Sequence, residues 1–249
     1  MTESPKRVVI LGAASAIAQA AARIWAEKGA RLVLVGRNAE RLEAIAADLK
    51  ARGAPLAEIL AADCAETEPT TALARISETL SGLDVVLLAY GVLGDQAELE
   101  RDPAAVADLL RTNFTSAVGW CQAAAAALER QRSGALIVIG SVAGDRGRIS
   151  NYVYGASKAG LGVLVEGIAH RLAQTGGRAV LIKPGFVDTP MTASVAKKGA
   201  LWARPEAIAR TIVASADRGG PVVYAPAFWR PIMLAVRNVP SAIFHKTRL

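Results

Sequence analysis

Short apolar runs recur along the chain, separated by stretches of helix length. Residues 7–12 read RVVILG and 31–36 read RLVLVG, and further runs lie near 56–60, 83–89, 135–140, 178–183 and 221–224. Most are continuous Val/Ile/Leu stretches rather than alternating ones, the pattern of strands buried on both faces. Helical patterns fill the gaps: the Ala/Ile-rich stretch from Gly12 to Lys28, then segments at about 40–52, 67–80, 103–130, 156–174 and 205–216. Strands alternating with helices predict an α/β architecture, a mostly parallel sheet of seven strands covered on both faces. No internal repeat or low-complexity linker divides the chain, so residues 1–249 read as one domain. Residues 188–203, DTPMTASVAKKGALWA, break the rhythm between the sixth strand and the next helix. They read as a substrate loop or as a surface excursion without a role.

Composition narrows the function classes. With 52% hydrophobic and 20% charged residues the chain is a folded protein. Cys64 and Cys121 are its two cysteines and no basic leader followed by an apolar run opens it, which argues against a disulfide scaffold, a metal centre and export, and for a cytoplasmic location. The net charge of +7 is spread along the chain without an aromatic-spaced basic motif, so nucleic acid is not an expected partner. The distribution is uneven at one end: no acidic residue follows Asp217, while Arg218, Arg230, Arg237, Lys246 and Arg248 remain. Residues 226–249 combine four of these cations with Phe228, Trp229, Ile232, Met233, Leu234, Val236, Ile243 and Phe244. Pro231, Pro240 and the charges interrupt this tail too often for it to span a bilayer. Peripheral contact with the inner face of the membrane, a homodimer or homotetramer interface, and core packing are its three destinations.

Candidate chemistry begins at the first strand's end. Gly12 opens a turn, with Ser15, Ala16 and Ile17 leading into a helix whose free N–H groups suit a pyrophosphate; a tight structural turn fits the same residues. The second strand ends in Gly36-Arg37-Asn38, with no acid until Glu40. An acidic side chain there would bind a ribose diol, whereas Arg37 suits a 2′-phosphate, which tilts the cofactor toward NADP(H) with NAD(H) open. Asp63, after the third strand, suits either an adenine edge or a helix N-cap. Gly91, after the fourth, permits close passage beside the nicotinamide ribose.

Tyr154-Gly155-Ala156-Ser157-Lys158 is the strongest local arrangement. At a spacing of four on a helix the tyrosine and lysine share a face, so an ammonium can stabilise phenolate. Ser141, at the end of ALIVIG, can polarise a carbonyl. Asn113, read as opening the long central helix, suits a water relay from Lys158 or a buried packing amide. Tyr152 has no such cation and reads as an aromatic wall of the cleft. Pro184-Gly185-Phe186-Val187-Asp188-Thr189 forms a stiff turn after the sixth strand, with Thr189 a donor to a carboxamide or diphosphate.

Together Gly12, Asn113, Ser141, Tyr154, Lys158 and Pro184-Gly185 resemble the short-chain dehydrogenase/reductase pattern over nearly the whole chain. The resemblance implies a Rossmann-like, doubly wound three-layer sandwich and an NAD(P)(H)-dependent hydride transfer between nicotinamide and a secondary alcohol or ketone. It implies Tyr154 as acid/base, Ser141 holding the reacting oxygen, Lys158 lowering the tyrosine pKa and contacting the ribose, and Asn113 in a proton relay. Cofactor contacts fall on Gly12, Ser15, Ala16, Ile17, Arg37, Asp63, Gly91, Tyr154, Lys158, Pro184, Gly185, Val187 and Thr189. Two departures are Ala16 and Ala18 in place of glycines, and Ala89-Tyr90-Gly91 in place of Asn-Ala-Gly.

A narrower resemblance covers AYGVLGD at 89–95, SVAGDRGRISNYVYGASKAG at 141–160 and YAPAFWRPIMLAVRNVPSAIF at 224–244. These segments are similar to the reductase components of decaprenylphosphoryl-ribose 2-epimerases. That implies reduction of a polyprenylphosphoryl 2-keto-pentose, paired with a flavin-dependent oxidase. The alternatives are a general reductase of another lipophilic ketone or alcohol and a non-catalytic nucleotide-binding interaction protein.

Overall fold

The computed structural model describes residues 4–193 and 199–247. Strands β1 (Arg7–Leu11), β2 (Arg31–Gly36), β3 (Leu56–Ala61), β4 (Val85–Leu88), β5 (Ala135–Ile139), β6 (Arg178–Pro184) and β9 (Val222–Ala225) form one sheet in the order β3-β2-β1-β4-β5-β6-β9. Every pairing in it is parallel. A second, two-stranded sheet joins β7 (Phe186–Val187) to β8 (Trp202–Ala203).

The pleat sorts the apolar runs to two faces. Val8 and Ile10 pack with α1 (Ala16–Glu27), α2 (Ala39–Ala51) and α8 (Pro205–Asp217). Val9 and Leu11 pack with α3 (Pro69–Leu80), α6 (Ser116–Gln131) and α7 (Tyr152–Leu172). Both sides are buried, so the strands lack polar alternation. Strand order reverses between β1 and β4, and the crevice at their carboxyl ends is where such sheets hold ligands.

Three local features depart from the sequence reading. The stretch 103–130 is not one helix opened by Asn113. It comprises α5 (Pro103–Leu110), a π turn over Arg111–Thr115 and then α6, and Asn113 sits inside that wide turn, 1% exposed. A single-turn helix α4 (Gln96–Leu99), capped by the Asp95 side chain, precedes it. Helix α7 begins at Tyr152 rather than 156, so Tyr154 lies in its first turn. A Gly in a helix is ordinarily unfavourable, but Gly155 has a packing role. A Cβ there would meet the Ala143 carbonyl oxygen at 2.8 Å, and one on Gly144 would meet the Lys158 carbonyl carbon at 2.8 Å. These two glycines let the turn after Ser141 lie directly on the helix that carries Tyr154 and Lys158.

The tail folds back as α9 (Trp229–Asn238) and α10 (Ser241–Phe244). Trp229 and Met233 are buried against Val142, so this part of the apolar tail is core. Phe228, Leu234 and Ile243 remain exposed. Arg146 closes the end of α9, its Nη1 donating to the carbonyls of Val236 and Val239 at 2.6 Å each, with the guanidinium 3.8 Å from the Phe244 ring centre. No helix among the described residues is long and apolar enough to cross a membrane. The 188–203 loop contains a 3-10 turn at Pro190–Thr192 and β8; its paired lysines, and the tail's Arg248, lie outside the described residues.

Candidate active site

A cleft of about 780 Å³ opens at the carboxyl ends of the strands. Its β1 side is set by Gly12, whose φ of +83° suits glycine and whose Cβ, if present, would lie 2.6 Å from that of Tyr90. Ser15 ends the turn in an extended conformation without a side-chain capping bond, so its hydroxyl and the first N–H groups of α1 are available to a ligand. Ser15, Ala16 and Ile17 line the cleft. Ala18 is fully buried in the core, so its replacement of a glycine does not intrude on the site.

At the end of β2, the Arg37 side chain is 77% exposed and 3.8 Å from Asp63. The Asp63 side chain accepts from the Ala65 N–H at 2.9 Å, while Glu68 caps α3, so the N-cap reading of Asp63 does not hold. Arg41, which the sequence reading did not single out, also lines the cleft and donates to the Ala14 carbonyl at 3.0 Å. Its signal was a second cation four residues beyond Arg37, in the first turn of α2. Tyr90, which stands in the departing Ala89-Tyr90-Gly91 segment, lines the cleft while its hydroxyl meets Ser116 at 2.9 Å and its ring packs on the core that includes α6.

The middle of the cleft holds Ser141, Tyr154 and Lys158. Ser141 Oγ accepts from the Ala143 N–H at 3.0 Å and lies close enough to Tyr154 to favour its ionised form. Lys158 donates to the Ile139 carbonyl at 3.1 Å and sits 5.8 Å from the Tyr154 ring centre. Burial pushes the Lys158 pKa down to about 8. Against the expected lowering, burial pushes the Tyr154 pKa up, and the neighbouring Ser141 hydroxyl only partly offsets this. The phenol is shut away from water while the ammonium is turned to a backbone carbonyl, so desolvation outweighs the cation. Tyr154 therefore stands in its proton-donating form at neutral pH.

Gly91 lies beside this group: a Cβ there would be 3.1 Å from Asn113 Oδ1 and 3.4 Å from Lys158 Nζ. Asn113 itself is behind the cleft wall. Its amide accepts from the Val92 N–H and donates to the Val92 carbonyl, both at 2.7 Å, clamping the backbone that follows Gly91. Pro184, Gly185, Val187 and Thr189 form the opposite wall. The Trp229 indole occupies the place of any side chain at position 185, which explains why the tail is tied into the site. Tyr152 is not a cleft wall; it is half-exposed and its hydroxyl donates to Glu100 at 3.2 Å. Cys64 and Cys121 are buried thiols whose pKa values are pushed up to about 12, which keeps them unreactive.

Beneath the site, Asp145 is 1% exposed, with Oδ1 2.5 Å from Lys183 Nζ and Oδ2 accepting from the Tyr224 hydroxyl at 2.7 Å. This trio, with the Asp145 side chain and Lys183 buried and Tyr224 half-buried, joins the turn that follows Ser141 to the strand leading into Pro184-Gly185. Its members are scattered along the chain, and no spacing in the sequence groups them.

A pH dependence follows from the buried lysine. Below about pH 8 Lys158 carries its charge; above it the ammonium is lost while Tyr154 keeps its proton. For chemistry that uses Tyr154 and Lys158, kcat/KM is expected to fall as pH rises through about 8, and the break to move upward in Lys158→Arg. A flat pH–rate profile well into the alkaline range would remove Lys158 from the site.

The comparisons with known proteins agree with this geometry. Residues 6–200 match the family described as short chain dehydrogenase. An uncharacterized oxidoreductase of Streptomyces coelicolor is 36% identical over 245 residues, covering 97% of this chain and 96% of that protein. An uncharacterized oxidoreductase of Mycobacterium tuberculosis (strain H37Rv) is 37% identical over 242 residues, covering 96% of each. A solved structure of a short chain dehydrogenase/reductase family protein superposes with a TM-score of 0.76 at 25% identity, covering 89% of this chain and 96% of that one. The chain is therefore a member of the short-chain dehydrogenase/reductase family, an NAD(P)-dependent oxidoreductase with a Rossmann-like fold.

Proposed function

We propose that this enzyme is an NADPH-preferring reductase of a ketone carried on a lipophilic substrate. The observation that carries the reading is that Ser141, the buried Tyr154 and the buried Lys158 line one cleft. The positive φ values of Gly12 and Gly91, and the lack of room for a side chain at either, fit a cofactor lying against backbone. Gly12, Ser15, Ala16 and Ile17 would hold its diphosphate, Arg37 and Arg41 a 2′-phosphate, and Asp63 the adenine edge. Gly91 and Lys158 would meet the nicotinamide ribose, and Pro184, Gly185, Val187 and Thr189 the carboxamide end. When bound, the nicotinamide supplies the hydride. Ser141 orients the ketone oxygen, Tyr154 delivers the proton to it, and Lys158 offsets the negative charge left on the phenolate. Exposed Val92, Phe186 and Met191 at the cleft give the substrate an apolar approach.

NADPH preference is supported by the two cations after β2 that line the cleft, Arg41 and Arg37, the latter 3.8 Å from Asp63. Arg37→Glu is expected to lower the ratio of kcat/KM for NADPH over NADH by about tenfold or more. An unchanged ratio would place the 2′-phosphate elsewhere.

A second reading makes the substrate a polyprenylphosphoryl 2-keto-pentose, produced by a flavin-dependent oxidase in a two-enzyme epimerisation. The exposed Phe228, Leu234 and Ile243, with Arg230, Arg237 and Lys246 on the same tail, favour it as a surface suited to anionic lipid at the inner face of the membrane. Initial rates of NADPH and NADH oxidation with short lipophilic ketones and with the polyprenylphosphoryl keto-sugar test both readings. Turnover confined to the sugar supports the second, turnover of the ketones alone the first, and no NADPH oxidation with either class contradicts both.

A further inference from the structure

Arg148 lines the cleft and makes no ion pair among the described residues. It stands on the loop between the Ser141 turn and α7, the helix of Tyr154. Its Nε is buried with no hydrogen-bond partner, and its Nη2 meets the Met233 thioether at 3.3 Å, a weak acceptor. Burial pushes its pKa below the usual arginine value, opposed only by the charge of Asp145. Asp145 is not free to pair with it, since one carboxylate oxygen meets the Lys183 ammonium and the other the Tyr224 hydroxyl. The neighbouring Arg146 is the contrast: its guanidinium is spent on the backbone carbonyls that end α9 and on the Phe244 ring.

A partly buried guanidinium without an acceptor is unfavourable, and it is tolerated where the acceptor arrives from outside. The contact with Met233 places Arg148 against α9, whose Trp229 covers Gly185. This is the wall across from Arg37 and Arg41, away from the cations assigned to the cofactor's 2′-phosphate.

We infer that Arg148 is a specificity-determining residue that binds an anionic oxygen group on the substrate, a carboxylate or a phosphate ester, alongside the ketone held by Ser141 and Tyr154. The inference rests on the reductase reading for what is done to that substrate, but not for the binding itself. A planar guanidinium supplies donors matched to the oxygens of either group, and at Arg148 the thioether of Met233, a weak acceptor, holds only Nη2.

Calorimetric titration of the NADP⁺-saturated protein with hexyl phosphate, hexanoate and 1-hexanol tests it without turnover. At least one anion is expected to bind about tenfold or more tightly than the alcohol, and the tighter of the two identifies the group. In Arg148→Met that ratio is expected to collapse to about threefold or less, and Arg148→Lys to recover part of it with a steeper loss on added salt. Circular dichroism and NADP⁺ affinity show whether each variant is folded, and Arg148→Gln replaces the Met variant if it is not. Anions binding no better than hexanol in the wild type, or a ratio that survives loss of the guanidinium, would overturn the inference. Anion preference without any ketone reduction would sink the reductase reading and leave this one standing; reduction without anion preference would do the reverse.

Discussion

Tyr154→Phe is expected to lower kcat/KM for ketone reduction by about a hundred- to ten-thousand-fold, the range over which a positioned general acid acts. The side chain is buried and its ring packs beside Lys158, so removing the hydroxyl leaves the shape of the site nearly unchanged. What is lost is the proton that burial holds on the phenol, beside Ser141 in the cleft. NADPH affinity, read by fluorescence titration, is expected to change little, and the unfolding midpoint to stay near that of the wild type. Turnover within about tenfold of wild type would assign the proton to another group. Ser141→Ala is the natural companion, since it keeps the phenol while removing the partner that orients the ketone oxygen.

Asp145→Ala is expected to do the opposite, destabilising the fold by about 3–5 kcal/mol. The carboxylate is 1% exposed and takes both the Lys183 ammonium and the Tyr224 hydroxyl. Its removal strands a lysine whose side chain is 11% exposed, and an unpaired buried charge is more damaging than the absence of the pair. For a protein of this length the unfolding midpoint falls by roughly 2–4 °C per kcal/mol, so a loss of roughly 6–20 °C is expected by calorimetry. The double variant Asp145→Leu, Lys183→Met is expected to regain much of it, because neither charge then remains. A midpoint unchanged in Asp145→Ala would show that the trio does not hold the Ser141 turn to β6.

The contrast between these two variants follows how the chain encodes its fold and its site. The seven strands were legible because each is a short apolar run and both faces of the sheet are covered, leaving no polar alternation to confuse the pattern. The interruptions were not. The π turn around Asn113 has no composition of its own, and it differs from the flanking helices only in how their turns close. The start of α7 was hidden by Gly155, whose low helix propensity is outweighed by the close approach of the Ala143 carbonyl. The tail's amphipathic composition left its destination open, and only the space above Gly185 shows that Trp229 turns inward while Leu234 faces solvent.

The site divides in the same way. Gly12, Arg37, Ser141, Tyr154, Lys158 and the Pro184-Gly185 turn stand at strand ends or on the helix that follows, where periodicity alone brings them to one cleft. Arg41 and Arg148 reach that cleft through side chains on a helix and a loop, which no spacing rule selects from the chain's other arginines. The state of Tyr154 was beyond the sequence for another reason. The YxxxK spacing places the cation nearby, but only packing determines that burial outweighs it.

The central claim is that this cleft passes hydride from NADPH to a ketone carbon while Tyr154 protonates the oxygen. The most direct test is mass spectrometry of the alcohol formed from NADPH deuterated on one or the other face of nicotinamide C4, using the ketone with the highest initial rate. The account predicts one deuterium at the carbinol carbon from one face only, at a rate that collapses in Tyr154→Phe. A product without deuterium from either face, or equal incorporation in wild type and Tyr154→Phe at equal rates, would contradict it.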